Sequence, residues 1–227
     1  MRADNPHLLN SLNQFIEQTA KPGRLLSNLL YQKYFQNSHW VERPLTPELL
    51  VQIDYLKPYF QLYADFYDID WILAAALAYQ ESHFHHSRVS PRGAVGIMQL
   101  RPSTARSIGF NDIEDLEKNI HAGIYYLAHL QERFFNSRDY TDEDRINFTL
   151  AAYNAGPTRI RQLQRQAERQ GLDPYRWFYN VEQLARNHIG QETVNYVIGI
   201  QKHKVALRAA QQAELERQLS RPALTAP

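Results

Sequence analysis

The run Trp71-Ile72-Leu73-Ala74-Ala75-Ala76-Leu77-Ala78-Tyr79-Gln80-Glu81-Ser82 decides the fold class. It is apolar on every side of a helix, and such a helix lies at the centre of its domain rather than on its surface. Asp70 stands before it as an N-cap. The run is shorter than the ~18 apolar residues of a membrane span. It predicts a buried central helix that begins at Trp71 and carries Glu81 at its C-terminal end.

Outward from this run the chain reads as a series of helices. Asn5-Pro6 opens one, with Leu8, Leu9, Leu12, Phe15 and Ile16 at helical spacing, and Lys21-Pro22-Gly23 stops it. Leu25, Leu26, Leu29, Leu30 and Tyr34 mark a second. Thr46-Pro47-Glu48 starts a third, which Pro58 is expected to break near Tyr59. After the central run, Pro102 opens a short helix that Gly109 ends, and an amphipathic helix covers Leu116 to Phe135. Thr141 and Asp144 resemble a capping box for a helix to Asn154; Pro157 opens another, closed by Gly171. A last helix follows Gly190 to about Gln211, and residues 214–227 are expected to fray. The exception is Val89 to Leu100, where Ser90-Pro91-Arg92-Gly93 signals a turn and the flanks suggest a small hairpin. The predicted fold class is mainly α, a multi-helix domain with at most one small β-hairpin.

Composition narrows the chemistry. The 227 residues hold 25 Lys+Arg against 24 Asp+Glu, a net charge of +1, and no Cys. That excludes a disulfide scaffold, a Cys-ligated zinc site, an iron–sulfur cluster and thiol catalysis. The balanced charge argues against a nucleic-acid partner, because duplex binders carry a basic excess. The first residues, Met1-Arg2-Ala3-Asp4-Asn5-Pro6, lack the apolar core of a signal peptide. The chain as given is therefore expected to be soluble, with neither a transmembrane segment nor an export signal; an extracytoplasmic role implies a fragment of a longer protein.

Glu81 is the candidate catalytic group. The preceding turns, with Ala74, Leu77 and Ala78, desolvate its charge, the helix C-terminus opposes a negative group, and no Lys or Arg in the same helix offsets this. A carboxyl held protonated near neutral pH suits a general acid for glycosidic-bond cleavage. The plain alternative is a helix-end glutamate that reaches solvent.

Four further segments bear on that choice. They are Ser90-Pro91-Arg92-Gly93-Ala94-Val95-Gly96-Ile97-Met98-Gln99, Asn119 to Leu127, Ala151-Ala152-Tyr153-Asn154-Ala155-Gly156, and Glu192-Thr193-Val194-Asn195-Tyr196-Val197. With Glu81-Ser82 ahead of them, in this order, they resemble the soluble lytic transglycosylase domain, the lysozyme-like enzymes of glycoside hydrolase family 23. The resemblance covers about residues 55 to 212 and departs mildly at Ile97, where Leu is commoner.

The resemblance implies a lysozyme-like fold and roles residue by residue. Glu81 matches the sole catalytic acid and base. Ser90 matches a serine that hydrogen-bonds near that glutamate or the substrate N-acetyl group. Met98 and Gln99 match a pair lining the glycan groove, and Tyr153 and Asn154 match its wall. Glu192 and Tyr196 match residues at the groove and its peptide side. Asp70 lies about 16 Å along the helix from Glu81, too far to form a carboxylate pair with it. The resemblance implies the peptidoglycan glycan strand as partner, cleaved without water to a 1,6-anhydro end, with no cofactor. A lysozyme-like hydrolase, or a non-catalytic glycan-binding module that kept the fold, are the competing readings.

Two other features have plain explanations. His83, His85 and His86 do not converge three ligands at their spacing, so no metal is expected. Arg161, Arg165 and Arg169 share a helix face that reads as solvated. Residues 1–40 resemble the closing helices of a solute-binding domain such as precedes the catalytic domain in membrane-bound family members. That leaves 41–213 as the catalytic domain. The family setting is the periplasm, at the outer membrane in some members, and a monomer is expected.

Overall fold

The computed structural model describes residues 46–220. The two N-terminal helices expected before Leu45 lie outside them.

The first described helix, α1 (Pro47–Phe66), starts as predicted: Thr46 caps it by accepting from the Leu49 amide at 3.3 Å, with Pro47 behind it. The expected break at Pro58 does not occur, since α1 runs through it. Proline leaves the Asp54 carbonyl without its helical donor, but Asp54 and Pro58 are both exposed, so water can satisfy that group. On the opposite face Ile53, Leu56, Phe60 and Ala64 are buried and hold the helix together from the core side.

Helix α2 (Trp71–Ser82) is the predicted central element. Asp70 Oδ1 accepts from the Ile72 amide at 3.0 Å, and Ile72 through Ala78 are all buried. The longest element, α8 (Gln191–Ser220), packs along it, and α1 covers another side. Close approach is possible because α8 presents Gly199 to α2, where a Cβ would lie 2.5 Å from Gln80 Oε1. Helix α8 passes the predicted end near Gln211 and takes in part of the expected tail. Glu214 pairs with Arg217 at 3.3 Å and Gln212 with Glu216 at 3.0 Å, both along the helix.

Between these come α3 (Pro102–Ser107), α4 (Leu116–Phe134), α5 (Asp142–Ala155), α6 (Pro157–Arg169) and α7 (Glu182–His188). Thr141 caps α5 as predicted, accepting from the Asp144 amide at 3.1 Å. The segment between α6 and Gly190 was not legible in the sequence. It holds a kinked turn, Trp177–Val181, with Tyr179 at φ 63°, and then α7. Trp177 is fully buried against Phe148, its amide donating to Asp144 Oδ1 at 2.9 Å. The 89–100 segment forms two isolated antiparallel bridges, Val89 with Val95 and Val95 with Leu100. The described residues contain no longer strand, so the fold is mainly α as expected.

Candidate active site

The last turn of α2 carries Glu81, and its surroundings explain why the helix ends there. His83 and Phe84 both adopt left-handed backbone, at φ 54° and 62°. That conformation is unfavourable for non-glycine residues. Burial of Phe84 against Phe60 and Tyr79, with ring centroids at 6.3 and 5.5 Å, offsets it. Ser82, also fully buried, donates to the Ile97 carbonyl at 2.8 Å and ties the helix end to the 89–100 loop.

That loop is held from α4. Asn119 is buried on the apolar face of α4 and makes three bonds to backbone: Oδ1 accepts from Met98 N at 2.8 Å, while Nδ2 donates to Val95 O at 3.1 Å and Ile113 O at 2.8 Å. A buried amide has to be satisfied in this way, and doing so fixes the loop's position. Gly96, at φ 79°, lets the chain pass it; a Cβ there would lie 2.2 Å from Asn119 Nδ2. Gln99, at φ 48°, folds its amide back onto the carbonyls of Arg88 and Gly96 at 2.9 and 2.8 Å. Met98 is fully buried over Gly123.

Two predicted tyrosines meet at Glu81 and the loop. Tyr196, on α8, donates its hydroxyl to Glu81 Oε1 at 2.5 Å. Tyr153, near the end of α5, donates to the Met98 carbonyl at 2.8 Å and packs on Tyr126 at 5.2 Å. Burial first, and then the nearby Glu81, hold both phenols well above their usual range. Burial pushes the Glu81 carboxyl up to about 7, while the Tyr196 hydroxyl and the Arg88 guanidinium pull it down. The rise is thus a desolvation effect rather than the work of a neighbouring carboxylate.

The other sequence-predicted residues have different partners. Ser90 closes its own turn, its Oγ accepting from Ala94 N at 2.9 Å. Met98 contributes its carbonyl, since its side chain is sealed in the core. Asn154 is exposed and accepts from Thr193 at 2.8 Å, joining the end of α5 to the start of α8. Glu192 is exposed in the first turn of α8, one helical turn before Tyr196. Asp70 binds Arg208 and Lys204 at 2.6 and 3.4 Å at the far end of α2. His86 meets the Glu114 carbonyl at 2.6 Å, and His83 stacks edge-on against Tyr79 at 4.8 Å. Sequence reasoning gave no role to Arg88, Asn119 or Tyr126. Only Asn119 left a signal, as a polar residue on the apolar stripe of an amphipathic helix.

Residues 58–175, just over half of the chain, match the family described as the transglycosylase SLT domain. The chain belongs to that family. Among curated relatives it is 33% identical over 181 residues to a membrane-bound lytic murein transglycosylase F of Desulfosudis oleivorans, covering 78% of this chain and 39% of that protein. It is 34% identical over 180 residues to one from Vibrio cholerae, covering 78% and 33%. The chain thus spans less than half the length of these relatives. Among solved structures it shares its fold with the lytic transglycosylase Slt of Pseudomonas aeruginosa, solved as an inactive glutamate-to-glutamine mutant. The TM-score is 0.53 at 19% identity, covering 90% of this chain and 30% of that one. In this SLT-family chain the matched span takes in α2, the Asn119-held loop and Tyr153, whereas Tyr196 on α8 lies beyond it.

Proposed function

We propose that this chain is a peptidoglycan lytic transglycosylase, cleaving the β-1,4 bond after N-acetylmuramic acid without water. The observation that carries the reading is the Glu81 carboxyl, half-buried and desolvated at the end of an apolar helix, raised to about 7 and touched by a tyrosine hydroxyl. Such a group is an acid at neutral pH, and a base once it has given up its proton.

The chemistry is the one the family resemblance implies, and it needs only one such group. Of the acids buried in the described residues, Asp144 holds Trp177 N and Arg176, and Glu182 holds Tyr179 N and Arg186. Neither is free to act as a second carboxylate. Glu81 protonates the glycosidic oxygen, and that C–O bond breaks. The substrate's own 2-acetamido group supports the positive charge at C1. The Glu81 carboxylate then takes the proton from the C6 hydroxyl, and O6 bonds to C1. The product carries a 1,6-anhydro ring, Glu81 is protonated again, and no water is consumed. Tyr196 orients the carboxyl. Tyr153 fixes the Met98 carbonyl, while Ser90, Gln99, Asn154 and Glu192 are assigned to the groove by family resemblance.

On this reading residues 41–213 form the catalytic domain, and its setting is the periplasm. The relatives' names, all membrane-bound, support that setting; no helix of the described residues is long and apolar enough to cross a membrane. The test is Glu81→Gln, which keeps shape and removes the titrating proton. Release of soluble muropeptides should fall about 10²-fold or more with substrate binding kept, and undiminished turnover would sink the assignment.

A further inference from the structure

The arginine face of α6 does not simply meet solvent. Arg161 and Arg165, one turn apart, line a cleft of about 270 Å³ together with Arg133 from the end of α4, Tyr140, Tyr175 and Glu168. Arg169 is not part of the lining; it donates to the Arg165 carbonyl at 3.2 Å. The cleft shares no residue with the Glu81 site. Asn119, which anchors the catalytic loop, and Arg133 stand 14 residues apart on α4, roughly 21 Å at the rise of a helix.

This cleft is built rather than incidental. Its floor is Gln164, 6% exposed, whose amide donates to Tyr140 Oη at 2.6 Å and to the Pro174 carbonyl at 2.7 Å. Tyr140 meets Tyr175 edge-on at 5.1 Å. Arg161 is held by the Phe134 carbonyl at 3.3 Å. Among the described residues, none of Arg133, Arg161 and Arg165 forms an ion pair with an acid. Three guanidinium groups around one small cleft without an ion-paired carboxylate attract anions, and their planar forks match carboxylates and phosphates bidentately. Glu168, on the rim, is placed to meet a cation. At about 270 Å³ the cleft sits near the ~300 Å³ lower end of ordinary ligand pockets and suits a small charged segment of a longer ligand.

We infer that this cleft binds the peptide stem of peptidoglycan, with Arg133, Arg161 and Arg165 taking its carboxylates and Glu168 the free ammonium of its diamino acid. The inference rests on the reading of this chain as a peptidoglycan enzyme and adds a docking site remote from the cleaved bond. A stem held there tethers wall polymer to the enzyme while a glycan strand occupies the groove at Glu81.

The test titrates the full chain with the tripeptide L-Ala-γ-D-Glu-meso-diaminopimelate, followed by NMR. The wild type and Glu81→Gln should bind it alike, with shifts at the tyrosines of the cleft. The double variant Arg133→Gln/Arg165→Gln should bind about tenfold more weakly or worse, and the same peptide with its carboxylates amidated should lose binding to a similar degree. On intact sacculi the double variant should lose kcat/KM, while on glycan strands stripped of peptide it should match the wild type. An unchanged thermal midpoint in the double variant shows that the fold is kept. No saturable binding, equal binding by the double variant, shifts centred on Tyr153 and Tyr196, or tighter binding of inorganic phosphate or a single-stranded oligonucleotide would each overturn the inference. Peptide binding by a wild-type chain that releases no muropeptides supports the cleft and removes only the proposed activity.

Discussion

Replacing Glu81 by Gln should stabilise the protein at alkaline pH while removing its activity. Folding lifts this carboxyl from an ordinary 4.5 to about 7, and burial is the largest cause. A carboxyl that is harder to ionise when folded costs nothing below the unfolded value, where it is protonated in both states. The cost grows as pH rises from 4.5 and is complete above about 7. At 1.36 kcal/mol per pH unit the full cost is about 3 kcal/mol. Glutamine cannot ionise, so the variant escapes it and can keep a hydrogen bond to Tyr196. Urea unfolding at pH 8 should therefore show Glu81→Gln more stable than wild type by about 3 kcal/mol. In a domain of this size that corresponds to a thermal midpoint about 6–12 °C higher. At pH 4 the two should coincide. A variant no more stable than the wild type at pH 8, or stabilised equally at pH 4, would refute the claim that desolvation on folding holds the Glu81 carboxyl up.

Other outcomes follow from the same geometry. Tyr196→Phe removes the hydroxyl that pulls Glu81 down, so the alkaline limb of the kcat/KM profile should move up by about one pH unit, the worth of a hydrogen bond to a charged group; an unmoved limb would leave Tyr196 without this role. Gly96→Ala forces a left-handed alanine against Asn119 and should destabilise by about 2 kcal/mol or more, measured by denaturant midpoint. Burial holds His203 down at about 4, with His83 and Lys202 adding to it. Stability should therefore fall as pH drops from about 6.5 toward 4, and His203→Gln should flatten that fall in acid unfolding curves. A chain beginning at Leu45 should keep its cleavage chemistry per folded molecule, because Glu81, Tyr153 and Tyr196 all lie in the unit that starts at Thr46; loss of activity in a folded, monodisperse sample would contradict that boundary.

What the sequence made legible was local. The Asp70 cap, the all-apolar turns of α2 and the position of Glu81 at their end are contained in one short run. Proline misled at Pro58 because the rule describes a helix's own bonds, while α1 is held from outside by buried Ile53, Leu56 and Phe60. The Trp177 turn left no periodic pattern, because its fixed points are distant: Asp144 on its amide and Phe148 against its ring. The site divides in the same way. Burial of Glu81 could be argued from its neighbours, but its contact with Tyr196 spans 115 positions and entered only through family resemblance. Arg88 acts on Glu81 through its charge and Asn119 holds the loop by hydrogen bonds, and of the two only Asn119 left a mark in the sequence, as a polar residue on an apolar helix stripe.

The proposed cleavage uses one acid, Glu81, and the substrate's own hydroxyl as nucleophile. The measurement that reaches it most directly is mass spectrometry of muropeptides released from purified sacculi in ¹⁸O-labelled water. The products should be one water lighter than hydrolytic fragments, free of the heavy label at the cleaved C1, and absent with Glu81→Gln. Reducing-end products carrying ¹⁸O at C1 would show that water is the nucleophile and contradict it.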